Sequence, residues 1–222
     1  MHLNWSPLWL SLRVAALSTL ISLVFGLWFA YLLATRRFRG KEVLDAVAAL
    51  PLVLPPTVLG YYFLATLAQG TALGRFYESV TGRPLVFTWQ AAVLASTVYA
   101  FPLFVRTARG AFEGLDPGLA KAARSLGASD WGVFWRVTLP LAYRSVLAAT
   151  ALAFARSMGE FGATLMIAGN LPGKTQTAAV AVFEATESGN TAPALALALA
   201  ISVLAFAAVY VANRLEYRRS QS

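Results

Sequence analysis

The 222-residue sequence contains no cysteine and a single histidine, His2, beside the N-terminus. The missing thiols exclude disulfides, zinc–thiolate sites and cysteine nucleophiles. With one imidazole at a chain end, Ser-His triads and histidine-based metal clusters are excluded as well. Charged residues are also scarce, at 13% of the chain against about 25% in a typical soluble domain. These shortages argue against most soluble enzymes, and we expect no catalytic residues and no metal site.

Apolar residues, by contrast, make up 58% of the sequence and gather into long runs. A helix that crosses a bilayer needs about 20 predominantly apolar residues. Five stretches meet that requirement, at residues 8–34, 43–68, 89–105, 143–168 and 192–212. The first stretch lacks the basic segment that precedes a signal peptide's apolar run, so we interpret it as a retained span. The sequence therefore predicts a single all-α membrane domain over residues 1–222.

The net charge of +8 is distributed unevenly among the loops between these stretches. Thirteen of the 18 Lys and Arg residues fall in loops on one side, whereas the alternate loops hold only Arg75, Arg83 and Lys174. Because cytoplasmic loops carry the excess of cations, this pattern predicts an outside N-terminus and a cytoplasmic C-terminus. A nucleic-acid-binding domain would instead cluster its cations in one patch, so nucleic acid is not an expected partner.

The inner loop at residues 106–142 begins with the local signals of a short helix. Asp116 can cap this helix with its side chain, and Pro117 suits the first helical position, where a missing N–H costs nothing. Gly127 can end the helix, because glycine adopts the left-handed conformation without strain. The loop is therefore expected to hold a rigid element at a defined place.

A second short helix is expected to follow in the same loop. Ser129 or Asp130 can cap it, Trp131 and Trp135 lie along it, and Pro140 ends or kinks it. The loop can then be an interfacial amphipathic segment anchored by its tryptophans. It can also be a DNA-reading helix-turn-helix or a docking element for a cytoplasmic partner, although an aromatic second helix suits a DNA groove poorly.

A spaced motif within this loop resembles the EAA loop of ABC importer permeases. The family pattern is E-A-A, three residues, G, nine residues and I-x-L-P. Its spacing is met throughout, at Lys121, Ala122, Ala123, Gly127, Val137, Leu139 and Pro140. Lys121 stands where the motif has Glu, so a salt bridge carried by that Glu is not expected here. The resemblance implies that the loop forms coupling helices, which seat in a cleft of an ATPase subunit.

Two more segments are similar to the molybdate permease subfamily. They are residues 50–60, LPLVLPPTVLG, and residues 154–164, FARSMGEFGAT. The resemblance covers nearly the whole chain and implies a type I ABC importer permease fold of five membrane helices. It implies import of molybdate, with tungstate as a second candidate anion. A sulfate or thiosulfate permease of the same architecture is the alternative, and a passive channel or structural membrane protein is the alternative from another class.

Prolines and ionisable residues inside the spans are candidate parts of a translocation pathway or gate. Pro55 and Pro56 interrupt the hydrogen-bond ladder of the second span. Arg156 and Glu160 lie four residues apart in the fourth span, where ionisable side chains are costly and usually functional. They can equally be a mutually neutralising pair without ligand contact. The same segment supplies the other candidates, which are Ser157, Gly159, Gly162 and Thr164.

The resemblance also implies the partners of the chain. A homodimer would place the pathway between two copies, since five helices alone form a thin bundle. Two ABC ATPase subunits would bind the ATP and hydrolyse it, so the chain itself would hold no cofactor. An extracytoplasmic molybdate-binding protein would deliver the anion. The chain would lie in the bilayer of a bacterial or archaeal inner membrane as a multi-pass protein.

Overall fold

The computed structural model describes residues 4–217, and in that range it consists of helices without a β-strand. His2, Arg218 and Arg219 lie outside the described residues. The helices are α1 (Ser6–Thr35), α2 (Lys41–Ala49), α3 (Pro56–Leu67), α4 (Ala72–Thr81), α5 (Trp89–Glu113), α6 (Pro117–Ser125), α7 (Asp130–Val133), α8 (Leu139–Met158), α9 (Gly162–Ala168), α10 (Ala178–Glu187) and α11 (Thr191–Tyr217). A 3-10 turn, Leu50–Leu52, extends α2, and a π-helical segment, Phe134–Thr138, joins α7 to α8.

The centre of the bundle is formed by α1, α5 and α8, and α11 packs against α8. Alanines such as Ala30, Ala100 and Ala149 are fully buried between these helices. Small side chains let the helix backbones approach closely, which is how helices associate in lipid. Large apolar side chains such as Phe25 and Phe206 point outward instead and are exposed. An apolar outer surface of this kind suits a bundle surrounded by acyl chains.

Four described helices are long and apolar enough to cross a bilayer, and one bent pair of helices forms a fifth, broken span or a re-entrant loop. The four are Ser6–Thr35, Trp89–Glu113, Asp130–Met158 and Thr191–Leu215. The number agrees with the five predicted spans, but the boundaries differ. The third helix continues eight residues beyond the predicted end at residue 105, and the fourth begins well before residue 143. Much of the predicted inner loop is therefore a helical extension of the spans on either side.

The second span is broken sharply. Lys41–Leu52 and Pro56–Leu67 meet at an angle of 107°. Pro55 and Pro56 explain the break, because neither residue has an N–H to continue the ladder. Since the second half turns away so strongly, the chain here forms a broken span or a re-entrant loop. The sequence predicted one span over residues 43–68 whose hydrogen-bond ladder the prolines interrupt, but it did not predict so large an angle.

The fourth span is also broken, although no proline lies at the break. Helix α8 ends at Met158 and α9 begins at Gly162, so residues 159–161 separate two helices where the sequence predicted one span to residue 168. Glu160 consequently lies between helices and not inside one. The free backbone groups of such a break must find partners within the protein.

The connections at the opposite end from α6 also contain helices. Thr71 caps α4 by accepting a hydrogen bond from the Gly74 N–H at 3.0 Å. Helix α10, which the sequence did not predict, packs against α11 and α1. The Ala178 N–H at its first turn donates to Ser11 Oγ of α1 at 2.8 Å. These contacts tie the loops to the bundle.

Candidate coupling loop and translocation site

Helix α6 of the candidate coupling loop begins as its sequence predicts. Asp116 Oδ1 accepts a hydrogen bond from the Gly118 N–H at 2.8 Å, and Pro117 occupies the first turn. The side chains of α6 are at most half-buried, so the helix stands away from the core. The ends of α6 are therefore fixed by capping bonds, whereas most of its side chains are exposed.

Gly127 forms the turn after α6 and has a φ of +87°. The Gly127 N–H donates to the Arg124 carbonyl at 2.9 Å, and the Ala128 N–H donates to the Ala123 carbonyl at 3.0 Å. This pair of bonds is a Schellman motif, which satisfies the last carbonyls of a helix and requires a left-handed residue. The turn that the sequence predicted at Gly127 is present, and Ala123 contributes through its carbonyl.

Ser129 caps the next helix, since its Oγ accepts from the Gly132 N–H at 3.2 Å. Pro140 does not end this helix or kink it sharply. The Leu139 N–H bonds to the Phe134 carbonyl five residues back, so the chain makes a wide π-helical turn just before the proline. A proline ring crowds the carbonyl four residues earlier in an α-helix, and the wider turn removes that clash. The second helix of the candidate coupling loop therefore runs without interruption into the membrane span.

A cavity of about 480 Å³ separates α6 from the ends of α1 and α5. Lys121, Arg124 and Val137 line it. Lys121 makes no ion pair with any side chain that the structure describes in residues 4–215. The motif positions Ala122 and Leu139 are respectively exposed on α6 and packed against the core cluster of α1, α5 and α8. The first half of the motif therefore lies on an exposed helix, and its second half packs against the helix bundle.

A small ion network joins the coupling loop to the first span, and no pattern in the sequence identified it. Asp130 Oδ2 pairs with the Arg36 guanidinium at 2.6 Å, and Asp130 Oδ1 pairs with Arg124 Nε at 3.0 Å. The rings of Trp28 and Trp131 stack beside it, with centroids 4.8 Å apart and planes 5° apart. The C-terminal end of α1, α6 and α7 are thus fastened to one another.

The candidate gate lies at the break between α8 and α9. Arg156 and Glu160 form an ion pair of 2.9 Å, and the Glu160 side chain is 2% exposed while that of Arg156 is 30% exposed. Glu160 Oε1 also accepts from the Ala163 N–H at 3.2 Å, in the first turn of α9. Glu160 therefore bridges the last turn of α8 to the first turn of α9.

Two contacts from other helices hold Arg156 and its neighbour Ser157. The Arg156 guanidinium lies 4.8 Å from the centre of the Tyr99 ring on α5, within cation–π range. Ser18 of α1 donates to Ser157 Oγ at 2.8 Å, and both serines are buried. Tyr99 and Ser18 could not be identified from the sequence, because they lie more than 50 residues away from the residues that they contact.

Helix α9 crosses α3 at very short range. A Cβ atom on Gly162 would lie 2.7 Å from Pro56 Cβ, and one on Gly60 would lie 2.6 Å from Met166 Cβ. Both glycines are therefore required for the approach of the two helices. Gly159 is different, since a Cβ there would meet nothing closer than 3.9 Å. The structure thus brings the two segments with subfamily similarity, residues 50–60 and 154–164, into direct contact.

The other candidate pathway residues lie within this same contact. Pro55 precedes α3, and the Leu54 carbonyl before it accepts from the Tyr99 hydroxyl at 3.4 Å. Thr164 is fully buried in α9, and its hydroxyl has no hydrogen-bond partner among the described residues. The arrangement is a packed junction of two broken helices. Arg156 is its only ionisable side chain with a substantial exposed fraction among residues 154–164.

Comparison with known proteins agrees with this architecture. Residues 22–221 match the family described as binding-protein-dependent transport system inner membrane component. The chain is 47% identical over 180 residues to the molybdenum transport system permease protein ModB of Escherichia coli K12, covering 81% of this chain and 79% of that protein. It is 40% identical over 208 residues to ModB of Azotobacter vinelandii, covering 92% of both chains.

A similar fold is found in the crystal structure of a bacterial alginate ABC transporter in complex with a periplasmic protein that carries an alginate pentasaccharide. The TM-score is 0.74 at 15% sequence identity, over 98% of this chain and 80% of that chain. At this identity the likeness concerns the fold alone.

Proposed function

The chain belongs to the family of binding-protein-dependent transport system inner membrane components, and on that premise we propose that it is the permease subunit of an ATP-driven importer of molybdate. The observation that carries this proposal is the 47% identity to a molybdenum permease over 180 residues, which include both signature segments and the coupling loop. The chain is a multi-pass membrane protein, and its relatives are transport permeases and not enzymes. Tungstate, which has the same shape and charge as molybdate, is a second candidate anion.

Energy for transport enters through the coupling loop. Two ATPase subunits bind and hydrolyse ATP, and each presses on α6 of one permease copy. A capped helix with a Schellman turn transmits a displacement, whereas an unstructured loop would lose it as local disorder. The ion network of Arg36, Arg124 and Asp130 passes the motion on to α1, and the π-helical segment passes it to α8.

Two copies of the chain form the transport unit, and the anion passes between them. A closed dimer is the most common assembly of identical subunits, and a single five-crossing bundle leaves little room for a hydrated dianion. An extracytoplasmic binding protein delivers the anion and supplies most of the selectivity. The break between α8 and α9 lies at the gate, and the Arg156–Glu160 pair orders that break while keeping its net charge close to zero.

The cations give the orientation of this unit, with the N-terminus outside and the α6 loop in the cytoplasm. The chain has no native cysteine, so single cysteines at Glu78 of α4 and Ser129 before α7 can be labelled without background. An impermeant maleimide added to intact cells should label the first and not the second. Labelling of position 129 together with protection of position 78 would show that the orientation is the opposite of the proposed one.

The transport function is tested by reconstitution with the ATPase and the binding protein in liposomes. Uptake of radiolabelled molybdate should require ATP and should be faster than uptake of sulfate offered at the same concentration. Sulfate uptake at the same rate would favour the sulfate permease, and flux without ATP would favour the passive channel. Failure of the chain to co-purify with the ATPase would contradict the role given to α6.

A further inference from the structure

A cavity of about 750 Å³ lies at the end of the bundle opposite to α6. Its walls come from the first turns of α1, the end of α4, the start of α5 and the loop after α9. Three cations contribute to it: Arg13, Arg83 and Lys174. None of the described residues that line it is acidic. Since the chain has few charges, three positive side chains around one cavity make its lining strongly positive.

Cations elsewhere in the chain are used differently. At the α6 end, Arg36 and Arg124 pair with Asp130, and Arg109 pairs with both Asp45 and Glu113 at 2.7 Å. Arg13, Arg83 and Lys174 make no ion pair with any of the side chains described in residues 4–215. Their charges are therefore not neutralised by the protein, and an anion in the cavity would meet them uncompensated.

Arg13 is held in place without losing its charge. Its guanidinium lies 3.9 Å from the centre of the Trp89 ring at the start of α5. Stacking on an aromatic face fixes the plane of a guanidinium and leaves the N–H groups along its edge free to donate. An arginine within the first turns of a membrane span is costly unless its side chain reaches water or serves a function. The Arg13 side chain lines the cavity.

We propose that this cavity is a reception site for tetrahedral oxyanions, which molybdate occupies transiently at the outer face before it enters the pathway. This inference rests on the proposed function, and on the outward orientation of the α1 N-terminus. The site takes doubly charged oxyanions as a class, and sulfate enters it as well as molybdate. Discrimination between them lies in the binding protein.

The geometry suits brief occupancy. A volume of 750 Å³ would hold roughly 25 water molecules at the density of the liquid, so the anion keeps much of its hydration. Attraction by three charges raises the local anion concentration, while incomplete dehydration prevents tight binding. A transport site must release its ion readily, and weak contact allows that. Because the cations are exposed, the attraction should weaken as salt shortens the Debye length from about 30 Å at 0.01 M to about 8 Å at 0.15 M.

The test uses the full transporter complex in phosphatidylcholine nanodiscs, without the binding protein, and sodium molybdate as the probe. Transient binding broadens the molybdenum NMR resonance, and the excess width over empty nanodiscs measures occupancy. Arg83→Gln together with Lys174→Gln should remove most of this excess, because both side chains lie on loops and leave the helices intact. Arg75→Gln is the matched control: Arg75 lies at the same end, bonds to the Gly70 carbonyl at 2.8 Å and does not line the cavity.

Excess width that falls in the double variant, persists in Arg75→Gln and is displaced by sodium sulfate would support the site. Equal width in wild type and double variant would overturn it. The cavity could instead accept carboxylates of the binding protein, so the affinity of that protein for each variant is measured alongside. Loss of its affinity with unchanged molybdate broadening would also overturn the proposal. Since broadening needs neither ATP nor uptake, its absence in a complex that transports molybdate would contradict only the reception site.

Discussion

The coupling loop and the break between α8 and α9 are both sharp turns between two helices, but different contacts hold them. The turn at Gly127 is closed by hydrogen bonds between residues no more than five positions apart, and Asp116 and Ser129 cap the adjoining helices locally. The break at Glu160 depends on Tyr99 of α5 and Ser18 of α1, which are distant in sequence. The loop can therefore keep its shape when the bundle moves, whereas the break can change only together with the helices around it.

This difference has a consequence for mutations. Damage to the break should lower the stability of the whole bundle, because its contacts belong to the core. Damage to the loop should leave the protein folded in the membrane and impair only the transfer of motion. Membrane abundance should therefore report damage to the break, and the coupling of ATP hydrolysis to uptake should report damage to the loop.

The largest effect is expected from separating Arg156 and Glu160. Arg156→Gln leaves Glu160 buried without its cation, which should cost about 3 kcal/mol, as for other broken buried pairs. Glu160→Gln should cost less, because Arg156 keeps its contact with the Tyr99 ring and part of its exposure. The double variant should be more stable than Arg156→Gln alone. Thermal unfolding of the solubilised complex and membrane abundance measure all three.

The same variants distinguish a structural pair from an anion contact. Strictly additive effects in the double-mutant cycle would mean that the two side chains do not stabilise each other. If Arg156→Gln abolishes molybdate uptake at full abundance while Glu160→Gln is harmless, Arg156 acts directly on the anion. Either outcome would remove the gate role that we assign to the pair.

A smaller loss of stability is expected from Gly60→Ala in α3. The new Cβ would lie 2.6 Å from Met166 Cβ and 3.1 Å from the Ala163 backbone, so α9 must move. Overpacking of this kind costs about 1–3 kcal/mol. Gly110→Ala in α5 is the matched control, because its Cβ would meet nothing within 4 Å. The control should raise the melting temperature slightly, and an equal fall in both variants would contradict the tight crossing.

The same distinction between local and distant contacts decides what could be predicted from the sequence. The caps at Asp116 and Ser129 and the turn at Gly127 follow from neighbouring residues, and the structure contains all three. The i, i+4 spacing of Arg156 and Glu160 predicted their ion pair, although Glu160 lies outside the helix. The prolines of the second span predicted an interruption of its hydrogen-bond ladder, but not the 107° angle between its two halves.

The parts that could not be predicted depend on distant residues. No proline lies at the α8 break, and α9 beyond it packs against Pro56 at the start of α3, over 100 residues away in the sequence. The π-helical turn replaces the expected effect of Pro140, because the helix widens before the ring in place of ending there. Arg36 pairs with Asp130 across 94 positions, a contact that no local pattern contains.

Within the loop, Gly127→Val should impair coupling without reducing membrane abundance. A side chain at a φ of +87° is strained by about 1–2 kcal/mol, and a β-branched one tolerates that region especially poorly. Gly127→Asn should behave nearly as wild type, since asparagine enters the left-handed region more readily and space around the Cβ is open. Molybdate-stimulated ATP hydrolysis and uptake are the measurements. Normal values for both in the valine variant would exclude a coupling role for the turn.

The smallest effect is expected from Asp130→Asn, which removes the shared partner of Arg36 and Arg124. Both ion pairs are exposed, and exposed pairs contribute little to stability, so abundance should not change. The network instead fixes the angle between α6 and α1, and its loss should raise the number of ATP molecules hydrolysed for each molybdate transported. The change should be visible at low ionic strength and should fade as salt screens the wild-type pairs too. Glu42→Gln removes the same charge from α2, and Glu42 makes no ion pair with the side chains described in residues 4–215, so this control should leave the ratio unaltered. If the Asp130 variant keeps its full deficit at high salt, the carboxylate acts through its place at the start of α7 and not through its two ion pairs.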